Sequence, residues 1–332
     1  MPILSLDEIE ALARRTLSAC GASDIAAASV ARSVRRAEED GLGSVGLGYL
    51  GVYLSHLRSG KVDGRAEPSI ERPRASTVLA DAGHGFAHPA FDRARPVLVA
   101  AAREAGMATL AIRRSYSIGV VGHPVEDIAA EGLIALAFTN SPANMAPWGG
   151  RKPLFGTNPL AFAAPRAGKP PLVIDLATTQ VAKVTLTAAA KKGGPLPEGW
   201  AFDVEGRPTT DPAAALAGSM APFGGAKGAM LALIVEILAA GLVGANFSKD
   251  ASPYARADGP PPGVGQCIVA FDPSAFSPDF PERIEGLFAA IAEQDGARLP
   301  GNRRLSARMT ARADGVDVDP ELLAQIEEIV AA

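Results

Sequence analysis

The sequence has little cysteine, no long run of one charge sign and no long uninterrupted apolar segment. Its two cysteines, Cys20 and Cys267, stand apart in apolar stretches, which argues against a disulfide scaffold and favours a reducing compartment. The chain carries 32 Lys and Arg against 36 Asp and Glu, a net charge of −4. Because no basic cluster is present, neither a nucleic-acid surface nor a polybasic membrane anchor is predicted. These absences favour a cytoplasmic protein that acts on small molecules.

Membrane and targeting segments are also not expected. The longest apolar run, residues 228–245, is interrupted by Glu236 and several glycines, so it predicts a buried helix rather than a membrane span. At the N-terminus, Ser5 and Glu8 have the spacing of a capping box that opens an amphipathic helix. This start differs from a signal or transit peptide.

Histidine is scarce as well, with four residues in the chain. His84 and His88 have the spacing of a metal pair on a helix, but Pro89 and the neighbouring glycines oppose a continuous helix there. No cysteine or carboxylate cluster completes a site, and we predict no bound metal.

What is present indicates an α/β protein with a chain long enough for about two domains. Two amphipathic helices are predicted within residues 5–39, and from "TVLADA" onward short apolar runs alternate with helical ones. Amphipathic helix returns at the C-terminal end. We therefore predict a discontinuous helical domain formed by residues 1–75 and 275–332, with an α/β domain, residues 76–274, inserted into it.

The stretch "DGLGSVGLGYL" places Gly41, Gly43 and Gly46 at the G-x-G-x-x-G spacing of a dinucleotide-binding loop. Such a loop requires a buried strand before it and a helix after it. Here an amphipathic helix precedes the glycines, and Gly48 and Gly51 would weaken the following helix. We therefore predict a turn between two helices.

Polar residues follow several strand-like runs between residues 139 and 183, in "TNS", "GTN" and "DLATT". Backbone amides and short side chains of this kind can converge on a polar ligand. In "PFGGAKGAM", Lys227 lies at the start of a predicted helix, an arrangement that can bind an anion. Ordinary turns and caps are the alternative interpretation.

Four longer motifs carry a resemblance to a known family: "GGRKPLFGTNPLAFAAPR", "VIDLATTQVA", "LPEGWAFDVEGRPTTDPAAAL" and "PFGGAKGAMLALIVEILAA". The chain resembles the type 2 malate/L-lactate dehydrogenase family from about residue 5 to about residue 305. Members include Δ1-piperideine-2-carboxylate/Δ1-pyrroline-2-carboxylate reductases, ureidoglycolate dehydrogenase and sulfolactate dehydrogenase. The resemblance implies a homodimeric oxidoreductase that uses NADP or NAD, with NADPH favoured, and a non-Rossmann cofactor domain inserted between the terminal segments.

The resemblance implies which residues of this chain contact the cofactor, because they occupy the positions of the family's cofactor contacts. The implied contacts are Asn140, Ser141, Thr157, Asn158, Asp175, Leu176, Thr178, Lys227 and Gly228. Three departures occur elsewhere. The family's S-H-G-x-x-R segment keeps Ser44 and Gly46 but has Val45 for histidine and Tyr49 for arginine. Its S-H-H-F-G segment has Tyr116 and Ser117 for both histidines, and Ala226 replaces a frequent histidine in G-G-H-K-G.

The lost histidine bears on the substrate. Reduction of a ketone needs a proton for the developing alkoxide, and a positioned acid contributes about 10² to 10⁴ in rate. A protonated imine already carries its proton, so the site has mainly to orient the reactants. We predict NAD(P)H-dependent reduction of small 2-imino carboxylic acids, such as the two cyclic imines named above. The alternatives are a 2-hydroxy acid dehydrogenase of the malate, lactate or sulfolactate kind and a dinucleotide-binding paralogue without catalysis.

Other residues could take over the missing roles. The candidate proton donors are Tyr49, Tyr116, His56 and His123, with Ser44 as an orienting hydroxyl; a tyrosine can hydrogen-bond a developing anion although its ordinary pKa is near 10. Arg58 or Arg114 could replace the lost carboxylate ligand by bidentate pairing. The alternative for both arginines is an ordinary surface role.

Overall fold

The computed structural model describes residues 2–331. The first part of the fold is helical. Its elements are β1 (Ile3–Leu4), α1 (Leu6–Ala19), α2 (Asp24–Glu39) and α3 (Leu47–Arg58). The capping box is confirmed, because the Ser5 hydroxyl accepts from the Glu8 amide while the Glu8 carboxylate accepts from the Ser5 amide. The turn between α2 and α3 contains the short 3-10 helix Gly43–Val45, as predicted for the glycine-rich stretch.

A mixed sheet of seven strands occupies the middle of the chain. The strands of this region are β2 (Ser69–Arg74), β3 (Thr77–Asp81), β4 (Met107–Ser115), β5 (Ile134–Thr139), β6 (Leu160–Arg166), β7 (Lys169–Leu176), β8 (Ala201–Phe202), β9 (Pro208–Thr209), β10 (Ser219–Met220) and β11 (Val264–Phe271). The large sheet has the order β2-β3-β4-β11-β5-β6-β7, and β8, β9 and β10 form a separate small sheet. Only β3 and β4 pair in parallel within the large sheet. Strand β11 is the central strand of the large sheet.

Helices cover both faces of this sheet. The helices of the region are α4 (Ala87–Ala105), α5 (Gly122–Ala130), α6 (Lys183–Lys192), α7 (Pro212–Ala217) and α8 (Ala226–Glu236), which continues as the π-helical segment Ile237–Gly241. The core between the sheet and helices α4 and α5 includes the fully buried Leu98, Leu110 and Ile128. On the opposite face, Val243 packs with Cys267 of β11.

The α8 region differs from the buried helix predicted for residues 228–245. Met230, Leu233, Ile234, Ile237 and Leu242 are all exposed, between 43% and 65%. The prediction was wrong because apolar residues occur all round this helix, whereas only one side contacts the sheet. Among residues 2–331, no helix combines the length and apolar character needed to cross a bilayer.

The C-terminal segment returns to the helices at the start of the chain. It consists of α9 (Phe280–Ala292), α10 (Asn302–Asp314), β12 (Val316–Asp317) and α11 (Pro320–Ala331). Strand β12 pairs with β1, and Ile326 of α11 shares one buried cluster with Ile9 and Leu50. Helix α9 instead contacts the sheet, where Arg166 lies 4.8 Å from the Phe288 ring centre. The two-domain division at residues 75 and 275 stays a prediction.

Candidate active site

A cavity of about 600 Å³ lies where the start of α3 faces the ends of the sheet strands. Its walls come from residues 44–52, 117–121, 139–144 and 157–159, from the side of α6 and from residues 253–255. Of the predicted substrate-side residues, Ser44 and Tyr49 line this cavity. Of the predicted cofactor contacts, Asn140, Ser141 and Thr157 line it. The fold therefore brings members of both sets to one cavity, although about a hundred residues of sequence separate them.

The glycine-rich turn presents Ser44 and Tyr49 to the cavity. A Cβ atom at Gly46 would collide with the carboxylate of Glu38, so any larger residue would force this buried side chain to move. That carboxylate accepts a 2.6 Å hydrogen bond from the amide of Leu47, the first residue of α3. Burial raises the pKa of Glu38, although this bond opposes the rise. Because a protein carboxylate occupies this helix start, a phosphate group has no place there, in agreement with the prediction that the motif is no dinucleotide loop.

A cluster of aromatic rings stands behind this end of the cavity. Tyr116 is fully buried and packs edge-to-face or tilted against Tyr53, Phe86 and Tyr254, while Tyr49 packs on Tyr53 with ring centres 5.0 Å apart. Burial raises the pKa of Tyr49 to about 12 and raises the pKa of Tyr116 well above its ordinary value. These phenols are therefore neutral hydrogen-bonding groups at physiological pH. Tyr49 and Tyr254 face the cavity, whereas Tyr116 does not line it.

The two candidate histidines lie outside the cavity wall. His56 is 2% exposed, and its Nδ1 atom is 2.5 Å from the Tyr116 hydroxyl. Burial lowers the pKa of His56 to about 4, so the ring is neutral at physiological pH. His123 is also buried, with Nε2 3.0 Å from the Asp40 carboxylate. Neither imidazole reaches the cavity directly, and His56 can act on it only through the tyrosine cluster.

The two candidate arginines are occupied elsewhere. Arg58 donates to the backbone oxygen of Val330 at 2.7 Å, at the contact between α3 and α11. Arg114 pairs with Asp81 at 2.8 Å on an exposed part of β4. The structure places neither at the cavity, because these partners hold both guanidinium groups away from it. The cations on the cavity wall are instead Lys183 and Lys191 of α6.

The polar strand ends form the wall opposite α3. The Asn140 side chain donates to the oxygen of Asn246 and accepts from the amide of Gly265. The Ser141 hydroxyl accepts from the amide of Thr157 at 3.1 Å. Asn158 lies behind them, fully buried and bonded to Glu236 of α8 at 2.7 Å. Asn140 and Asn158 thus fix the backbone, while Ser141 and Thr157 keep hydroxyls at the cavity.

The remaining predicted cofactor residues lie beyond the cavity. Asp175, near the end of β7, accepts from the amide of Gly122 at 2.8 Å, and the neighbouring Leu176 is 46% exposed. Thr178 is buried and donates to the oxygen of Thr157. Lys227 is exposed in the first turn of α8, followed by the buried Gly228. Thr157 and Thr178 therefore link this outer region to the cavity wall.

Lys61 is a structurally important residue that sequence reasoning missed. It is 1% exposed, and its ammonium donates to the backbone oxygens of Pro253, Arg256 and Asp258 at 2.5, 2.6 and 3.0 Å. These bonds hold the loop that carries Tyr254 against the end of α3. Its sequence surroundings, "RSGKVDGR", carry no signal of this role.

The chain is similar to known proteins over nearly its whole length. A family model described as malate/L-lactate dehydrogenase matches residues 4–327. A (2R)-3-sulfolactate dehydrogenase (NADP(+)) of Chromohalobacter salexigens is 51% identical over 92% of each chain. A Delta(1)-pyrroline-2-carboxylate reductase of Burkholderia multivorans is 42% identical over 99% of this chain and 97% of that protein. The crystal structure of the delta1-piperideine-2-carboxylate reductase from Pseudomonas syringae, 40% identical, has a TM-score of 0.93 and covers 99% of this chain and 100% of its own.

Proposed function

The chain belongs to the malate/L-lactate dehydrogenase family, and from this membership we propose that it is an NAD(P)H-dependent reductase of small 2-imino carboxylic acids. Cyclic imines such as Δ1-pyrroline-2-carboxylate and Δ1-piperideine-2-carboxylate are the proposed substrates. NADPH is the favoured coenzyme, in keeping with the NADP(+) in the name of the 51% identical relative. When bound, the nicotinamide supplies the hydride that is added to C2.

One observation carries the choice of an imine. Within residues 2–331, no histidine, aspartate or glutamate lines the cavity, and its hydroxyl groups include those of Ser44, Tyr49, Ser117 and Tyr254. The raised pKa of Tyr49, about 12, makes this phenol a weak acid. An iminium carbon can accept hydride without receiving a further proton. The hydroxyl groups then have only to orient the substrate.

The residues around the cavity fit a nicotinamide dinucleotide. The hydroxyls of Ser141 and Thr157 can hydrogen-bond a polar ring substituent next to Ser44 and Tyr49. Further out, exposed Leu176 supplies an apolar surface, and Lys227 combines an ammonium with a helix start, which suits a phosphate group. These positions run from the cavity along the strand ends.

A 2-hydroxy acid dehydrogenase is the second candidate. The 51% identical relative is named for the oxidation of sulfolactate, and two lysines on the cavity wall suit a substrate with two anionic groups. In that reaction Tyr49 or Tyr254 would have to exchange the hydroxyl proton. A binding protein without catalysis is a third outcome that the same experiment separates.

The test is coenzyme oxidation, followed by absorbance, with NADPH and NADH against the two cyclic imines, pyruvate with methylamine, oxaloacetate, 2-oxoglutarate and 3-sulfopyruvate. We expect turnover with the cyclic imines and a higher kcat/KM with NADPH. Turnover confined to the oxo acids would favour the dehydrogenase. Saturable coenzyme binding in calorimetry without turnover of any compound would favour the binding protein, and silence in both assays would refute the proposal.

We also propose a homodimer, supported by the exposed apolar face of Met230, Leu233, Ile234, Ile237 and Leu242. A contiguous apolar surface of this kind is typical of a subunit interface. Sedimentation velocity of Ile234→Glu should show monomers where the unchanged chain shows dimers. A monomeric unchanged chain at micromolar concentration would contradict this assembly. The two buried free thiols support a cytoplasmic location.

A further inference from the structure

Lys183 is a cation on the cavity wall. It is the first residue of α6 and is half-buried. Within residues 2–331, its ammonium makes no hydrogen bond or ion pair, whereas Arg58, Lys61 and Arg114, none of which lines the cavity, all have partners in the protein. A half-buried ammonium without a partner has lost part of its hydration and gained no replacement, which is unfavourable. This arrangement indicates that the ammonium of Lys183 binds a ligand.

The position of Lys183 in its helix adds to this cost. The first turn of a helix carries a partial positive charge, which repels an ammonium and attracts an anion. The N-cap residue, Ala182, supplies no side-chain acceptor to this end of α6. Burial also lowers the pKa of Lys183, as expected when no neighbouring carboxylate stabilises the charged form. An anion bound beside Lys183 would interact favourably with both the ammonium and the helix start.

The charges around the cavity point in the same direction. Among the described residues that line the cavity, the charged ones are Lys183 and Lys191, and none is a carboxylate. Lys191 lies two turns further along α6 and is exposed, so water can solvate its ammonium. Lys183 is less accessible to water than Lys191, so its ammonium gains more from binding an anion. The cavity is therefore suited to an anionic substrate, and Lys183 is its best-placed cation.

Among the described residues of the opposite wall, which the start of α3 forms, none is a cation. Tyr49, whose neutral side chain faces the cavity, occupies the position that carries arginine in the S-H-G-x-x-R pattern, and Arg58 and Arg114 are held elsewhere. We propose that Lys183 binds the carboxylate of the substrate, so that the anion-binding group has moved from α3 to α6. This assignment rests on the proposed function for its substrate, a 2-imino carboxylate, but it extends to any 2-oxo carboxylate that the enzyme accepts.

The experiment compares Lys183→Gln and Lys183→Arg with the unchanged enzyme and with Lys192→Gln, a control on the same helix whose side chain does not line the cavity. Steady-state kinetics give KM separately for Δ1-pyrroline-2-carboxylate and for NADPH. Calorimetry gives the affinity for pyrrole-2-carboxylate and for pyrrole-2-carboxamide, an uncharged analogue of the same shape, with NADP present. The calorimetric arm needs no turnover.

We expect Lys183→Gln to raise KM for the imine about 10- to 100-fold, the effect of losing one charge-assisted hydrogen bond, while KM for NADPH changes less than about twofold. Lys183→Arg should retain most of the affinity, and Lys192→Gln should match the unchanged enzyme. The preference of the unchanged protein for the carboxylate over the carboxamide should disappear in Lys183→Gln.

Two results would overturn the assignment. A rise in KM for NADPH with an unchanged KM for the imine would place Lys183 at a coenzyme phosphate, and unchanged values for both would make it a surface cation. Failure of the unchanged enzyme to reduce any imine is a different result, since it refutes the proposed function. In that case the calorimetric preference for carboxylate over carboxamide still tests Lys183.

Discussion

Replacement of Lys61 by methionine should release the loop that carries Tyr254. The change keeps much of the side-chain volume but removes an ammonium that donates to three backbone oxygens, at 2.5, 2.6 and 3.0 Å. A hydrogen bond from a charged donor contributes about 1.5 to 3 kcal/mol. The three hydrogen bonds share one donor, and water can solvate the freed backbone oxygens in an open loop. Their combined contribution is therefore smaller than that of three independent hydrogen bonds.

We expect the closed loop to lose about 2 to 4 kcal/mol, which corresponds to a rise of about 30- to 1,000-fold in the open population. Limited trypsin digestion measures this, because the Arg256 side chain is 69% exposed while its backbone oxygen is bonded to Lys61. Lys61→Met should be cut after Arg256 far faster than the unchanged chain, as followed by mass spectrometry. KM for the substrate should also rise, because Tyr254 lines the cavity.

The matched control is Lys249→Met, which removes a lysine from the same loop region whose ammonium is exposed and pairs with Asp250. Its cleavage after Arg256 should equal that of the unchanged chain. If Lys61→Met were also cut after Arg256 at the unchanged rate, with the same thermal midpoint, the three bonds would contribute little and the anchoring role would be refuted.

The remaining predictions concern three buried residues that do not line the cavity, Glu38, Glu126 and Tyr116. Glu38→Ala should lower the free energy of unfolding by about 1 to 3 kcal/mol in urea titrations, because the buried Leu47 amide loses its acceptor, and equal midpoints would contradict this. Burial would raise the pKa of Glu126, but its arginine partners, Arg308 and Arg36, lower this pKa from 4.5 to about 2. The charged carboxylate therefore stabilises the fold by at most about 3 kcal/mol. This contribution is present above pH 4.5 and is lost as the pH falls towards 2. Thermal unfolding of Glu126→Gln should therefore depend less on pH in that window, and curves parallel to the unchanged chain would refute the assignment. Tyr116→Phe should lower stability by about 1 to 2 kcal/mol because His56 loses its partner, with kcat within about threefold; a 100-fold loss of kcat at unchanged stability would instead make Tyr116 a proton donor.

Local sequence signals were sufficient where one segment determines its own structure. The capping box of Ser5 and Glu8, the pair of N-terminal helices and the turn at Gly46 all depend on residues within a few positions of one another. The long motifs between residues 149 and 240 were enough to identify the family. The resemblance to that family led to Ser141 and Thr157, which do line the cavity.

The sequence alone determined the family, the order of the elements and the loss of the usual histidine and arginine at Val45 and Tyr49. Only the tertiary structure decided which other charged groups reach the cavity. Arg58 donates to α11, and Lys61 donates to a loop almost two hundred residues further along the chain. Lys183 has no partner among residues 2–331. A side chain's electrostatic role depends on distances of a few ångströms to groups remote in the chain, and neither periodicity nor motif spacing encodes those distances.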